Sequence, residues 1–146
     1  MRLVLPLVTL LALVSACAAQ PGSGGSSPSS SASADRENSL IIEVNQGDGS
    51  PVQRWTLICG ATGGGTHPAA QGACDHLAGM SDPFAPIPAD RMCTQIYGGP
   101  QTAHVTGRWK GAAVDLRLSR VDGCRIEQWN SLGPLLPGPV GVSPPS

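Results

Sequence analysis

The stretch CGATGGGTHPAAQGACDHL, residues 59–77, contains two cysteines, a glycine-rich turn and the beginning of a helical pattern. Pro68 suits the first turn of a helix, where its missing N–H would have no partner in any case. Ala73 and Leu77 then recur at helical spacing and begin an apolar stripe that reaches Met80. The pattern predicts a helix over Ala69–Met80 that packs one face against a core.

Four segments around this stretch have the composition of strands, with β-branched residues or alternating apolar and polar residues. They are Ser39–Asn45, Val52–Cys59, Ala103–Trp109 and Ala112–Ser119. Turn-forming residues at 48–51 and at 110–111 separate the two members of each pair, so each pair is predicted to form an antiparallel hairpin. A sheet of this kind with one or two helices on one face is an α+β fold.

The five cysteines divide into one near the N-terminus, Cys17, and four in the predicted domain: Cys59, Cys74, Cys93 and Cys124. An even number in a small exported domain indicates two disulfides, although four cysteines allow three pairings and spacing does not choose among them. Zinc is disfavoured, because the chain has no C-x-x-C pair and the spacings do not fit the usual ligand pattern. No metal or other cofactor is predicted.

The first 16 residues have the features of a secretory signal peptide: a basic Arg2, an apolar run and small residues before Cys17. The run is shorter than the roughly 20 residues that cross a bilayer. The sequence Val-Ser-Ala-Cys at 14–17 resembles a bacterial lipobox, which predicts lipidation of Cys17 and attachment to the outer face of the bacterial cell membrane. Ordinary cleavage, for example after Ala19, would instead release a secreted protein.

Composition divides the rest of the chain into three parts. Residues 17–38, after the lipidated cysteine, are rich in Ala, Gly, Ser and Pro and are predicted to form a flexible tether. Residues 39–132 are predicted to form one domain, and residues 133–146, with five prolines, a disordered tail.

Charge and motifs exclude several classes of function. Nine basic residues stand against ten acidic ones, so no basic surface predicts nucleic-acid binding. No nucleophile-elbow, zinc-protease or phosphate-binding motif is present, so the protein is not predicted to be an enzyme. His67 is predicted to cap the turn before the helix, His76 and His104 to be polar surface residues, and the three tryptophans to belong to the core or a sheet face.

The stretch at 59–77 resembles the signature of the streptomycete subtilisin inhibitor family: a cysteine, a glycine-rich turn, G-x-H-P, four residues, then A-C-x-x-L. Ala61 departs from it, since the family has proline there. The segment Gly107–Gly111 resembles the family's G-x-W-x-G hairpin, and Cys124 lies where the fourth family cysteine belongs. The resemblance implies a five-stranded antiparallel sheet with two helices, the disulfides Cys59–Cys74 and Cys93–Cys124, and often a homodimer formed through the sheets.

The resemblance also implies a reactive loop. The six residues Met92, Cys93, Thr94, Gln95, Ile96 and Tyr97 resemble the family's segment M-C-P-x-V-Y. Carried over residue by residue, the scissile bond is Gln95–Ile96, Gln95 enters the specificity pocket of an extracellular serine protease, and Cys93 pins the loop through Cys124. A subtilisin-like pocket is broad enough for glutamine, whereas a trypsin-like pocket requires Lys or Arg.

Three departures from the family pattern lie in this loop. Thr94 replaces the family's proline, Gln95 is neither basic nor plainly apolar, and Gly98-Gly99-Pro100 carries one extra residue. Loss of proline and the two glycines are both expected to soften the loop. The alternative interpretation is therefore a binding or structural module at the cell surface that keeps the scaffold without inhibiting proteases.

Overall fold

The structure is a computed structural model that describes residue 33 and residues 35–136. In this part of the chain, five strands form one antiparallel sheet in the order β3-β2-β1-β4-β5, accompanied by two α-helices and a short 3₁₀ helix. The elements are β1 (Ser39–Asn45), β2 (Gln53–Cys59), β3 (Gly63–Gly65), α1 (Ala70–Ala78), β4 (Thr102–Trp109), β5 (Ala112–Ser119), α2 (Gly123–Ser131) and the 3₁₀ helix Gly133–Leu135. The predicted five-stranded α+β fold with two helices is confirmed. The predicted signal peptide, Cys17 and most of the predicted tether lie outside the described residues.

The predicted strands need small corrections. The strands β1 and β5 have the predicted bounds, while β2 begins one residue later and β4 one residue earlier. The helix α1 ends at Ala78, before the predicted Met80, because the Gly79 N–H already bonds back to the carbonyls of Asp75 and His76. The strand β3 was not predicted, since its three glycines have no side chains from which an alternating pattern could be read.

The core lies between one face of the sheet and the elements packed on it. Leu40, Ile42 and Val44 alternate along β1 and are buried, as are Leu57 and Val105 on the neighbouring strands. Helix α1 covers this face with the buried residues Ala73, Cys74 and Leu77. In the described ranges, no helix combines the length and the apolar character that crossing a bilayer requires.

The packed part of the chain extends four residues past the predicted domain end at residue 132. Leu132 and Leu135 are fully buried and Leu136 is 5% exposed, because the 3₁₀ helix Gly133–Leu135 turns back onto α1. Residues 133–136 therefore do not belong to the predicted disordered tail. The remainder of that predicted tail, residues 137–146, lies outside the described residues.

Both implied disulfides are confirmed. Cys59–Cys74 joins the end of β2 to α1, and Cys93–Cys124 joins the segment before β4 to the first turn of α2. The first bond holds a helix on the sheet. The second determines where the candidate loop lies.

Candidate reactive loop and its supports

Residues 91–99 form an irregular, exposed segment between α1 and β4. Met92 is 96% exposed, Ile96 58% and Tyr97 65%, values that are unusual for large apolar side chains in a small domain. Thr94 and Gln95 are also exposed, whereas Cys93 is half-buried. All six residues predicted from the sequence thus lie on one protruding stretch.

A second segment, residues 120–124, lies alongside this loop and holds it at three points. Cys124 bonds covalently to Cys93. The Gly123 N–H donates to the Thr94 carbonyl at 2.9 Å, and the Gly98 N–H donates to the Arg120 carbonyl at 2.7 Å. The three residues Gln95–Tyr97 therefore form an exposed arc between two backbone anchors. The sequence indicated the disulfide, but no pattern indicated the two hydrogen bonds.

Two glycines allow the loop and its support to approach this closely. A Cβ at position 123 would overlap the Thr94 hydroxyl. A Cβ at position 98 would lie 2.8 Å from the Ile126 side chain, closer than real Cβ atoms come. Gly99 has a φ of 126°, which side chains other than glycine rarely adopt. Where the sequence predicted a softened leaving side, the glycines instead permit a close contact and a particular backbone turn.

Asp122 fixes the beginning of α2 and hence the position of Cys124. Its carboxylate accepts a hydrogen bond from the Arg125 N–H at 2.9 Å, the arrangement of a helix N-cap, and it also contacts the Arg125 guanidinium. The backbone N–H and the side chain of Arg125 hold the pKa of Asp122 below its ordinary value of 3.8, so the cap stays ionised at neutral pH. Asp122-Gly123 before a helical segment was a capping signal that could have revealed α2 in the sequence.

Two further contacts tie the chain before the loop to α2. Arg91 forms an ion pair with Glu127 at 2.6 Å, and the Gln128 side-chain amide donates to the Ala85 carbonyl at 2.9 Å. The Arg91 and Glu127 side chains are 46% and 66% exposed, so this ion pair contributes about 0–1 kcal/mol at most. The disulfide and the two backbone hydrogen bonds dominate the support.

The loop support offers no metal site. The sulfur atoms of Cys93 and Cys124 lie within 4.8 Å of an Asp122 oxygen. Metals bind cysteine as the thiolate, however, and both sulfurs are committed to a disulfide.

His67 lies away from the loop and performs the predicted capping role. It is 5% exposed, its Nδ1 accepts from the Ala69 N–H at 3.2 Å, and its Nε2 lies 3.1 Å from the Leu135 carbonyl. These contacts require the neutral ring with its proton on Nε2, and burial lowers the pKa of His67 below 6.5 despite the Leu135 carbonyl. His67 therefore joins the start of α1 to the 3₁₀ helix.

The other predicted bystanders lie near their expected places. His76 contacts the Ser131 carbonyl at 2.8 Å, and His104 pairs with Asp115 at 2.7 Å on the open face of the sheet. Trp109 is buried, and Trp55 and Trp129 pack against the core while partly exposed. None of these residues contributes to the loop.

The sequence and structure are similar to those of known protease inhibitors. The model of a family described as subtilisin inhibitor-like matches residues 36–119. Subtilisin inhibitor-like protein 5 of Streptomyces fradiae is 31% identical over 96 residues, 62% of this chain and 89% of that protein. A subtilase-type protease inhibitor of Streptomyces coelicolor is 32% identical over 121 residues, 78% of this chain and 83% of that protein. Among solved structures, Streptomyces caespitosus sermetstatin in complex with Bacillus licheniformis subtilisin matches 66% of this chain and 94% of that chain, with 27% identity and a TM-score of 0.43.

Proposed function

Because the chain belongs to the subtilisin inhibitor-like family, we propose that it is an exported protein inhibitor of subtilisin-like serine proteases. The family consists of inhibitors of proteases and not of enzymes. In this proposal Gln95–Ile96 is the bond presented to the protease. Gln95 enters the specificity pocket, Met92 and Thr94 contact neighbouring subsites on the acyl side, and Ile96 and Tyr97 contact the leaving side.

One observation carries the proposal: three exposed residues are held between two anchored ones. Thr94 and Gly98 are bonded to residues 123 and 120, so Gln95–Tyr97 is the part of the loop free to enter a protease cleft. A loop that is ordered before binding loses less conformational entropy on association, which strengthens the complex without any added contact.

The same anchors account for inhibition rather than digestion. If the protease attacks the Gln95 carbonyl, the Gln95–Ile96 bond breaks and Ile96 becomes a new amino terminus. The Thr94 carbonyl and Cys93 hold one end, and the Gly98 N–H holds the other, so the new amine stays close to the acyl carbon. Effective concentrations in such tethered reactions are high, so bond re-formation competes with hydrolysis.

Titration of subtilisin with the oxidised protein tests the proposal. We expect stoichiometric loss of protease activity, retained in Gln95→Ala and abolished in Gln95→Pro, because the proline ring constrains the loop backbone where the protease must bind it. Gln46→Ala, in the β1–β2 turn, is the matched control and should inhibit like the unchanged protein.

Two results would contradict inhibition. Rapid cleavage of Gln95–Ile96 without inhibition would make the loop an ordinary substrate. Absence of both inhibition and cleavage, with subtilisin and with other serine proteases, would favour the non-inhibitory surface module. The Gln95 side chain is the departure from the family pattern that most directly affects this choice.

Attachment to the membrane is a separate part of the proposal. The lipobox-like sequence at 14–17 supports lipidation of Cys17, which would place the inhibitor on the outer face of the cell membrane. Mass spectrometry of the mature N-terminal peptide should find an acylated cysteine, and Cys17→Ser should move the protein from the membrane fraction to the medium. An unmodified N-terminus following Ala19 would instead indicate simple secretion.

A further inference from the structure

The strand β5 is the outer strand of the sheet, and one of its edges is unpaired. It pairs with β4 over its whole length, from Ala112 opposite Trp109 to Ser119 opposite Thr102. Among residue 33 and residues 35–136, none forms a backbone hydrogen bond with its other edge. An exposed edge of eight residues is long enough to take up another strand.

The turn before β5 determines which backbone groups lie on the free edge. Lys110 and Gly111 both have positive φ, 48° and 78°, as in a type I′ two-residue turn. In such a turn the flanking residues, Trp109 and Ala112, form a hydrogen-bonded pair. Because hydrogen-bonded pairs alternate along an antiparallel ladder, even-numbered residues of β5 bond to β4 and odd-numbered residues present their N–H and C=O outward.

The outward residues carry opposite charges two positions apart. Asp115 and Arg117 are both exposed and lie on the open face of the sheet, opposite the buried Val114 and Leu118. The Asp115 carboxylate contacts His104 through one oxygen, Oδ1, which leaves the second oxygen for another donor. The strand contains neither proline nor glycine, so nothing in its backbone prevents further pairing.

We propose that the free edge of β5 pairs antiparallel with β5 of a second copy of this chain, about a two-fold axis through Leu116. In this register Asp115 lies opposite Arg117 of the partner subunit, and Arg117 lies opposite Asp115 of the partner subunit. Both are narrow, hydrogen-bonded pairs. The two sheets then become one ten-stranded sheet, and the proposal is independent of protease inhibition.

Charge selects this register over its neighbours. Centring the two-fold axis on Asp115 would place two carboxylates opposite each other, and centring it on Arg117 would oppose two guanidinium groups. Like charges directly opposite each other destabilise a strand pair, whereas opposite charges stabilise it. Leu116 is therefore the centre that satisfies the backbone pairing and both charge pairs together.

The proposed dimer is small and leaves the reactive loops free. An eight-residue edge buries less than the roughly 1,200–2,000 Å² of a stable interface, so we expect a weak, concentration-dependent dimer. Arg120, which anchors the loop, lies four residues from the axis, and at about 3.3 Å per residue the two copies of Arg120 are roughly 26 Å apart at opposite ends. Each loop can then meet its own protease.

Hydrogen exchange together with sedimentation velocity tests this arrangement. As the protein concentration rises, dimer should accumulate, and exchange should slow at the N–H groups of Asp115, Arg117 and Ser119 while Leu116 and Leu118 remain protected throughout. We omit Ala113 from this readout because residues 81–84 lie close to the start of β5. A dimer that leaves these three N–H groups unprotected, for example one formed through the sheet faces, would overturn the proposal, as would a monomer at all concentrations.

Charge reversal supplies the matched variants. Arg117→Asp places carboxylates opposite one another at both pairs and should weaken dimerisation roughly tenfold or more. The double variant Asp115→Arg, Arg117→Asp restores opposite charges and should recover most of the affinity. Circular dichroism confirms that both variants are folded, and equal dimerisation of the single and double variants would contradict the proposed pairing.

Discussion

Thr94 and Gly123 meet at the point where the exposed loop joins its support. The Thr94 carbonyl accepts a hydrogen bond from the Gly123 N–H at 2.9 Å, and the Thr94 hydroxyl occupies the space that a side chain at position 123 would need. A threonine in place of the family's proline is thus compatible with a held loop, because a backbone hydrogen bond supports it.

We expect Gly123→Ala to weaken this junction. The added methyl group displaces Thr94, and overpacking of this kind costs about 1–3 kcal/mol of unfolding free energy. In a Thr94→Ala background the same change should be nearly neutral or stabilising, since alanine favours a helix over glycine by up to about 1 kcal/mol. Urea unfolding of the four proteins measures this coupling, and equal effects of Gly123→Ala in both backgrounds would exclude it.

The two disulfides should have separable effects. Cys93→Ala with Cys124→Ala removes a loop support, so stability should fall by about 2–5 kcal/mol and subtilisin should cut Gln95–Ile96 much faster than in the unchanged protein. Cys59→Ala with Cys74→Ala should lower stability comparably while leaving the loop resistant to cleavage at temperatures where the protein is folded. Cleavage rates that follow stability alone, regardless of which disulfide is absent, would show that Cys93–Cys124 has no special role in the loop.

Gln95→Lys tests which side chain enters the protease. A trypsin-like pocket contains a carboxylate that a lysine can pair with and a glutamine cannot, so trypsin inhibition should strengthen by roughly 100-fold. Gln46→Lys adds the same charge in the β1–β2 turn and should leave trypsin inhibition unchanged. An equal response to the two lysines would mean that residue 95 is not the specificity residue.

His67 should make stability depend on pH in mildly acidic solution. Its pKa is lower in the folded protein than the ordinary 6.5, so the unfolded chain binds more protons as the pH falls through 6.5. The contribution of His67 is thus complete above this value, and the free energy of unfolding decreases as the pH falls below it. Urea unfolding at several pH values should find this decrease, and His67→Gln should reduce it. The carboxyl groups with lowered pKa values, Asp48, Asp115 and Asp122, titrate below 3.8 and so do not interfere.

The sequence predicted the sheet well because its strands alternate in a way that one buried face demands. The segments β1 and β5 were bounded correctly, since Leu40, Ile42 and Val44, or Val114 and Leu118, mark every second position. The disulfide pairing followed only from the family resemblance, because spacing permits three connectivities.

The supports of the loop and the end of the domain could not be predicted in the same way. Contacts such as Gly98 with Ile126 depend on how distant segments approach, and local sequence patterns do not encode that approach. Pro134 and its neighbouring glycine indicated a disordered tail. Instead, proline is accommodated in the first turn of a 3₁₀ helix, where no backbone hydrogen bond is lost.

The burial of Leu132, Leu135 and Leu136 has a consequence for how the protein folds. These residues close the core from the far end of the described chain, and the contact between His67 and Leu135 spans 68 residues. A ribosome releases the chain from its N-terminus, so the nascent sheet has no complete apolar covering until these leucines emerge. Folding is therefore expected to be post-translational and slow, on the order of milliseconds to seconds, as for other chains dominated by non-local pairing.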